Sequence, residues 1–130
     1  MMRKLLLTAL VGLMGLIGCS SPTPEELASL AAKGYYEHLV AGEYDEYLQG
    51  VAGYDSMPGD YREQLLMAAK MTMARQKREH QGINEVQVSS AKADSAARYT
   101  NVFLVLCYAD SVREEICVPM VDVGGRWQMK

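Results

Sequence analysis

Ala97-Arg98-Tyr99-Thr100-Asn101-Val102-Phe103-Leu104-Val105-Leu106-Cys107-Tyr108 is the stretch on which the fold turns. It is the densest run of β-branched and aromatic residues in the chain, and Val102 to Leu106 is apolar at every position. A strand apolar on both faces belongs at the centre of a sheet. Downstream, Asp110-Ser111 reads as a turn, Val112 to Val121 as the partner strand, Gly124-Gly125 as a hairpin turn, and Arg126 to Met129 as a last short strand around Trp127. Upstream, the hydrophobic period changes from 3.6 to 2 at Ile83, and Val86 and Val88 alternate with Glu85 and Gln87. Four sequential strands joined by short turns must be antiparallel.

Before Ile83 the spacing is helical. Asp60 and Glu63 stand at capping-box spacing and open a helix that runs to about His80, with Gly82 as its stop and Leu65, Leu66, Ala69, Thr72 and Met73 as its buried stripe. Lys70, Arg75, Lys77 and Arg78 gather in its C-terminal half. Cations there offset the helix dipole on a solvated face, and the sharper alternative is a site for an anionic head group or ligand. Gly50, Gly53, Pro58 and Gly59 mark a loop, and Glu43 to Leu48 reads as a short helix carrying Tyr44 and Tyr47. A first helix opens with Thr23 as its cap, Pro24 in its first position and Glu26 at the capping-box position, and Gly42 ends it. Leu27, Leu30, Ala31, Gly34, Tyr35 and His38 recur at intervals of three and four, and this face, with its small residues, is expected to pack. Helices first and a meander afterwards make an α+β domain, three helices on one face of a curved four-stranded antiparallel sheet, over 24–130.

Ahead of that domain, Arg3 and Lys4 precede a charge-free run of thirteen residues, Leu5 to Ile17, which is the layout of a secretory signal. The run is short for a membrane span, which needs about 20 apolar residues, and Ser20-Ser21-Pro22-Thr23-Pro24 follows it at once. Leu16-Ile17-Gly18-Cys19 resembles the lipobox of bacterial lipoproteins. The resemblance implies a signal peptide over 1–18, cleavage before Cys19, and a diacylglyceryl thioether with palmitate-class acyl chains on that thiol. Residues 19–23 are then a lipidated tether, and two or three acyl chains hold a protein stably on a membrane without spanning it. Ser20, in place of Asp, points to the outer membrane of the cell envelope.

Composition narrows the partners. Loss of 18 residues leaves 112, one domain, and loss of Arg3 and Lys4 leaves 11 basic residues against 16 acidic ones, a net charge of about −5 without an extended basic patch. Nucleic acid is not an expected partner. Nor is a metal or cofactor expected: there is no Cys-x-x-Cys, no His-x-x-x-His and no phosphate loop.

Gly34-Tyr35-Tyr36, Gly42-Glu43-Tyr44-Asp45, Tyr61-Arg62-Glu63, His80-Gln81-Gly82-Ile83, Tyr108-Ala109-Asp110-Ser111 and Gly124-Gly125-Arg126-Trp127 together resemble a group of small bacterial lipoproteins. Those proteins have the cystatin-like cone of the nuclear-transport-factor-two superfamily, and some relatives carry a lumazine-binding label. The resemblance implies the cone fold. Its motifs are turns, caps and core positions, so it speaks to fold much more than to function.

The chemistry that remains is sparse. His38 lies on the face of the first helix expected to be apolar, and His80 in the last turn of the third reads as a capping cation. Asp45, Asp55 and Asp60 fall at helix starts or turns, where capping explains them. Catalysis is therefore not expected. Six of the eight tyrosines fall between residues 35 and 61. They read first as packing between helices, and second as the mouth of a pocket between helices and sheet, with Tyr35, Tyr47, Tyr61, Met73 and Phe103 as candidate ligand contacts. The expected function is a membrane-anchored, non-enzymatic module holding a small ligand in the cone; the alternative is a protein-interaction module docking on an envelope partner through its sheet, and an isomerase- or dehydratase-like enzyme comes third. A two-residue turn at Asp110-Ser111 pairs 107 with 114 and 117 with 104, which places Cys107 and Cys117 on opposite faces as free thiols. A bulge or a longer turn restores one face and permits a bridge.

Overall fold

The computed structural model describes residues 21–94, 96 and 98–130. The signal-peptide reading of 1–18 and the lipidation of Cys19 lie outside the described residues. The elements run α1 (Pro24–Val40), α2 (Tyr44–Gln49), a single 3₁₀ turn (Tyr54–Ser56), α3 (Gly59–His80), β1 (Ile83–Asp94), β2 (Tyr99–Tyr108), β3 (Arg113–Val123) and β4 (Arg126–Met129). All neighbouring strands are antiparallel in the order β1-β2-β3-β4, and the helices pack on one face of this open sheet.

Helix α1 starts as its sequence predicts. The Thr23 hydroxyl accepts from the Glu26 amide at 3.2 Å and bonds the Glu26 carboxylate at the same distance. It ends in a Schellman motif, with Gly42 at φ +79°, its amide on the Leu39 carbonyl and the Glu43 amide on the His38 carbonyl. Its buried face differs from the expected one. Ala28, Ala32 and Leu39 are the buried residues, with Ala31, Tyr35, Tyr36 and Val40 packed beside them, while Leu27 and Leu30 are 40% and 68% exposed. The twisted sheet admits the first turns of the helix where its side chains are smallest, so Ala28 and Ala32 go in and Leu27 and Leu30 stay out. Gly34 faces open space instead of a close contact. The close contact is at Gly50, where a Cβ would meet the Tyr35 ring at 2.5 Å.

Helix α3 buries only Ala69 completely, with Leu65, Leu66, Thr72 and Met73 half-buried along the predicted stripe. The expected Asp60–Glu63 capping box is not made. Pro58 is the cap residue, and Asp60 Oδ1 instead accepts from the adjacent Tyr61 amide at 2.9 Å. At the other end it is Gln81, one residue before Gly82, that first takes the left-handed conformation, at φ +64°.

Strand β2 lies at the centre of the pairing, between β1 and β3, but its burial alternates strictly. Thr100, Val102, Leu104, Leu106 and Tyr108 point toward the helices and join Ala28, Ala32, Val86, Val118, Met120 and Met129 in the core. Phe103, Val105 and Cys107 lie on the outer face, which no described element covers. The expectation of two covered faces is corrected accordingly. The β2–β3 connection is also one residue longer than expected. Tyr108 donates to the Val112 carbonyl at 2.9 Å across a three-residue loop whose last member, Ser111, sits at φ +73°. Cys107 therefore pairs with Arg113, and Cys117 with Phe103. The two thiols share the outer face four positions apart, about 13 Å along the strand, which no disulfide spans. They are free.

The Gly124-Gly125 hairpin forms as expected, both glycines having positive φ. Strand β4 is then fastened to the loop after α2 by Met129 N–H to the Gly50 carbonyl at 2.6 Å and Ala52 N–H to the Met129 carbonyl at 2.7 Å.

Candidate functional site

The five residues expected to line a pocket do not converge. Tyr35 is a structural wedge: its ring packs over Gly50 and its hydroxyl donates to the Trp127 carbonyl at 2.7 Å. Tyr47 meets Tyr36 edge to face, with centroids 5.6 Å apart and the ring planes at 84°. Burial raises the pKa of both phenols above the ordinary value, for Tyr36 with a further contribution from Tyr47. Both tyrosines pack against the core. Tyr61 is exposed on α3. Phe103, between Ser90 and Cys117 on the outer face, is on the opposite side of the sheet from the helices. The space between α1 and the sheet, where a cone would hold its ligand, is filled by Ala28, Ala32, Val102, Leu104 and Met120.

Of the five, Met73 borders a described cleft. It lies between the C-terminal half of α3 and the ends of α1 and β1, has a volume of about 420 Å³, and is lined by Val40, Tyr44, Lys70, Met73, Ala74, Lys77, Gln81, Gly82 and Ile83. Lys70 and Lys77 are seven positions apart, two helical turns, and so project from the same side of α3. Lys70 also reaches the Tyr44 ring, its Nζ 5.9 Å from the centroid. On its other side Lys70 borders a smaller cleft of about 330 Å³ that carries Glu43, Asp45 and Glu46. The arrangement offers two ammonium groups beside apolar wall residues Val40, Met73 and Ile83. It suits a ligand with an anionic end and an apolar body. The sequence signal was the α3 charge cluster, which the helical period divides: Arg75 and Arg78 are exposed and do not line the cleft.

No protein-family model matches the chain, and no curated protein matches it. Among solved structures, the chain is similar to a protein from Campylobacter jejuni named as an NTF2-like transpeptidase, with a TM-score of 0.61 and 11% sequence identity over 75% of this chain and 92% of that one. The fold is NTF2-like.

The NTF2-like domain carries a second polar constellation where α3 ends. His80 Nδ1 and Asp110 Oδ2 are 2.8 Å apart, and the His80 ring stacks on Tyr108 with centroids 4.3 Å apart. The Tyr108 hydroxyl donates to Glu114 at 2.7 Å; burial, with help from Glu114, pushes its pKa up to about 12. His80 holds the Asp110 carboxyl below the usual range. His80 was expected only as a capping cation. Here it belongs to a clasp: the Asp110 amide donates to the His80 carbonyl at 3.2 Å, the Ala109 amide to the Gly82 carbonyl at 2.8 Å, and Asp110 Oδ1 accepts from the Val112 amide at 3.1 Å. An imidazole oriented by a carboxylate is half of a general-base arrangement, but its ring face is covered by Tyr108. His38 is paired with Glu43 at 2.9 Å. Among the described residues, no group of three His, Cys, Asp or Glu side chains is placed to hold a metal ion, and no helix is long and apolar enough to cross a membrane.

Proposed function

We propose that the mature chain is a lipoprotein, cut before Cys19 and lipid-anchored through it at the cell envelope, on the outer membrane, and that its NTF2-like domain is a non-enzymatic binding module. It takes a small ligand with an anionic end and an apolar body. One observation carries the reading: Lys70 and Lys77 project from one side of α3 into a cleft of about 420 Å³ whose other walls include Val40, Met73 and Ile83. A cleft of this size falls in the range of small-ligand sites. The anchoring half rests on Arg3-Lys4, the apolar run Leu5 to Ile17, and Leu16-Ile17-Gly18-Cys19. Supporting the non-enzymatic half, the His80 ring face is covered by Tyr108, and Cys107 and Cys117 are on the outer sheet face. The C. jejuni neighbour's transpeptidase name suggests peptidyl transfer as a rival reading, one that would draw on the His80–Asp110 pair.

The test is a thermal-shift titration of the mature chain with octanoate and with octanamide, which has the same chain but no charge. Octanoate is expected to raise the midpoint and octanamide to leave it unchanged, since a ligand bound only by the native state stabilises it by mass action. Lys77→Gln removes a charge-assisted contact and is expected to weaken octanoate binding about tenfold. An octanoate shift that survives Lys70→Gln with Lys77→Gln removes the cleft from consideration.

A second reading, docking of an envelope protein on the sheet, is favoured by the outer face. Phe103, Val105, Pro119 and Val121 lie there half-exposed with no described element over them, and β1 is a twelve-residue edge strand. Co-purification of one envelope protein, lost on Phe103→Glu, would favour it over the cleft.

A further inference from the structure

Helix α1 leaves two of its leucines, Leu27 and Leu30, in solvent. Leu30 is 68% exposed, and Leu27 on the same outward side and Val88 on β1 are each 40% exposed. Leu30 and Val88, with Glu25, Glu26, Ser29 and Ala91, border a shallow depression of about 460 Å³ between the first two turns of α1 and β1. Large exposed apolar side chains grouped in this way signal a partner.

The covalent chain says which partner. Thr23, the helix cap, is four positions beyond Cys19, so the anchor lies within about 14 Å of Thr23 however that segment is arranged. Leu30 is seven residues beyond Thr23, about 10 Å along the helix. The apolar ridge and the anchor are therefore both held within about 14 Å of the same point, Thr23. We propose that α1's outward ridge, Leu27 and Leu30 with Val88 beside them, seats in the interfacial layer of the membrane to which Cys19 is tethered, so that the domain lies on the lipid and does not swing above it. This rests on the reading that Cys19 carries lipid. Glu25 and Glu26 border the same patch and would be repelled by an anionic surface, so the lipid it fits is zwitterionic with an amine in its head group. The Met67 and Met71 strip of α3, the latter 67% exposed, has no comparable link to the anchor.

The test uses the mature lipidated chain on phosphatidylethanolamine–phosphatidylcholine vesicles whose acyl chains are brominated, which quenches tryptophan on contact. Leu30→Trp is expected to lose emission and shift to the blue relative to the parent chain with Trp127 alone. Met71→Trp, equally exposed on the parent helix but on α3, is expected to show neither change. Exchanging phosphatidylethanolamine for anionic phosphatidylglycerol should reduce the Leu30→Trp quenching, and Glu25→Gln with Glu26→Gln should restore it. Intact mass and vesicle flotation, run first, read the anchor separately: an unmodified Cys19 that does not float ends the anchoring reading and this one with it. A chain that floats with acylated Cys19 while Leu30→Trp stays unquenched, or while Met71→Trp is quenched in its place, overturns the seating and leaves the anchor intact.

Discussion

Tyr108 is the residue whose chemistry shows most directly in stability. Its folded pKa of about 12 lies above the ordinary 10.0, so the fold favours the neutral phenol. The associated stability is full below pH 10 and is lost as pH rises toward 12. Tyr108→Phe is expected to flatten that alkaline loss, read as the difference in urea midpoint between pH 9 and pH 11; Tyr36 and Tyr47, raised in the same direction, keep it from vanishing. Asp110 works at the other end of the scale. Its pKa is lowered, so its contribution is present above the usual carboxylate value and is lost as pH falls through the folded one. Asp110→Asn should therefore reduce the acid sensitivity of the midpoint between pH 5 and pH 2. At Gly50 the prediction is steric. An added methyl would meet a Tyr35 ring that cannot swing away, because its hydroxyl is held by the Trp127 carbonyl. Gly50→Ala is expected to cost about 1–3 kcal/mol, measurable by chemical denaturation.

At the scale of elements, the β2–β3 loop decides more than its length suggests. Ser111 holds a left-handed conformation at φ +73° that a glycine would adopt without strain. Ser111→Gly is expected to stabilise by up to about 1 kcal/mol and to raise the thermal midpoint by a few degrees. The same residue explains why strand register was not legible. A serine does not announce a left-handed position as Gly124-Gly125 does, so the loop reads one residue short and every cross-strand partner shifts by one. The elements themselves were legible, since the change of period at Ile83 separates helices from strands, and Thr23-Pro24-x-Glu26 and Gly42 delimit α1 from sequence alone. The face of α1 was not. Periodicity ranks leucine above alanine as a core residue, whereas a helix laid on a twisted sheet is limited by how closely its backbone can approach. The candidate site was legible in one part: Lys70 and Lys77 at seven-residue spacing predict a shared side of α3. That Val40, Tyr44 and Ile83 complete a cleft depends on where α1 and α2 end in space, which local spacing does not encode.

For the whole molecule, the two faces of the sheet differ in kind. The helix side is a filled core, and the outer side carries both described cysteines on strands that never bring them within bonding distance. Thiol titration of the denatured, unreduced mature chain is expected to find Cys107 and Cys117 both reactive; the absence of both would place the β2–β3 register in question. The stitching of Met129 to Gly50 and Ala52 has a further consequence for how the molecule is made. Of the described elements α1 is made first, yet the strands it must cover are made up to about a hundred residues later, and the strand that locks the loop beneath Tyr35 comes last. Interactions so distant in sequence cannot form until nearly the whole domain is available. A nascent chain of this design cannot close its core until its last strand has left the ribosome, which would keep it threadable on the export route proposed above.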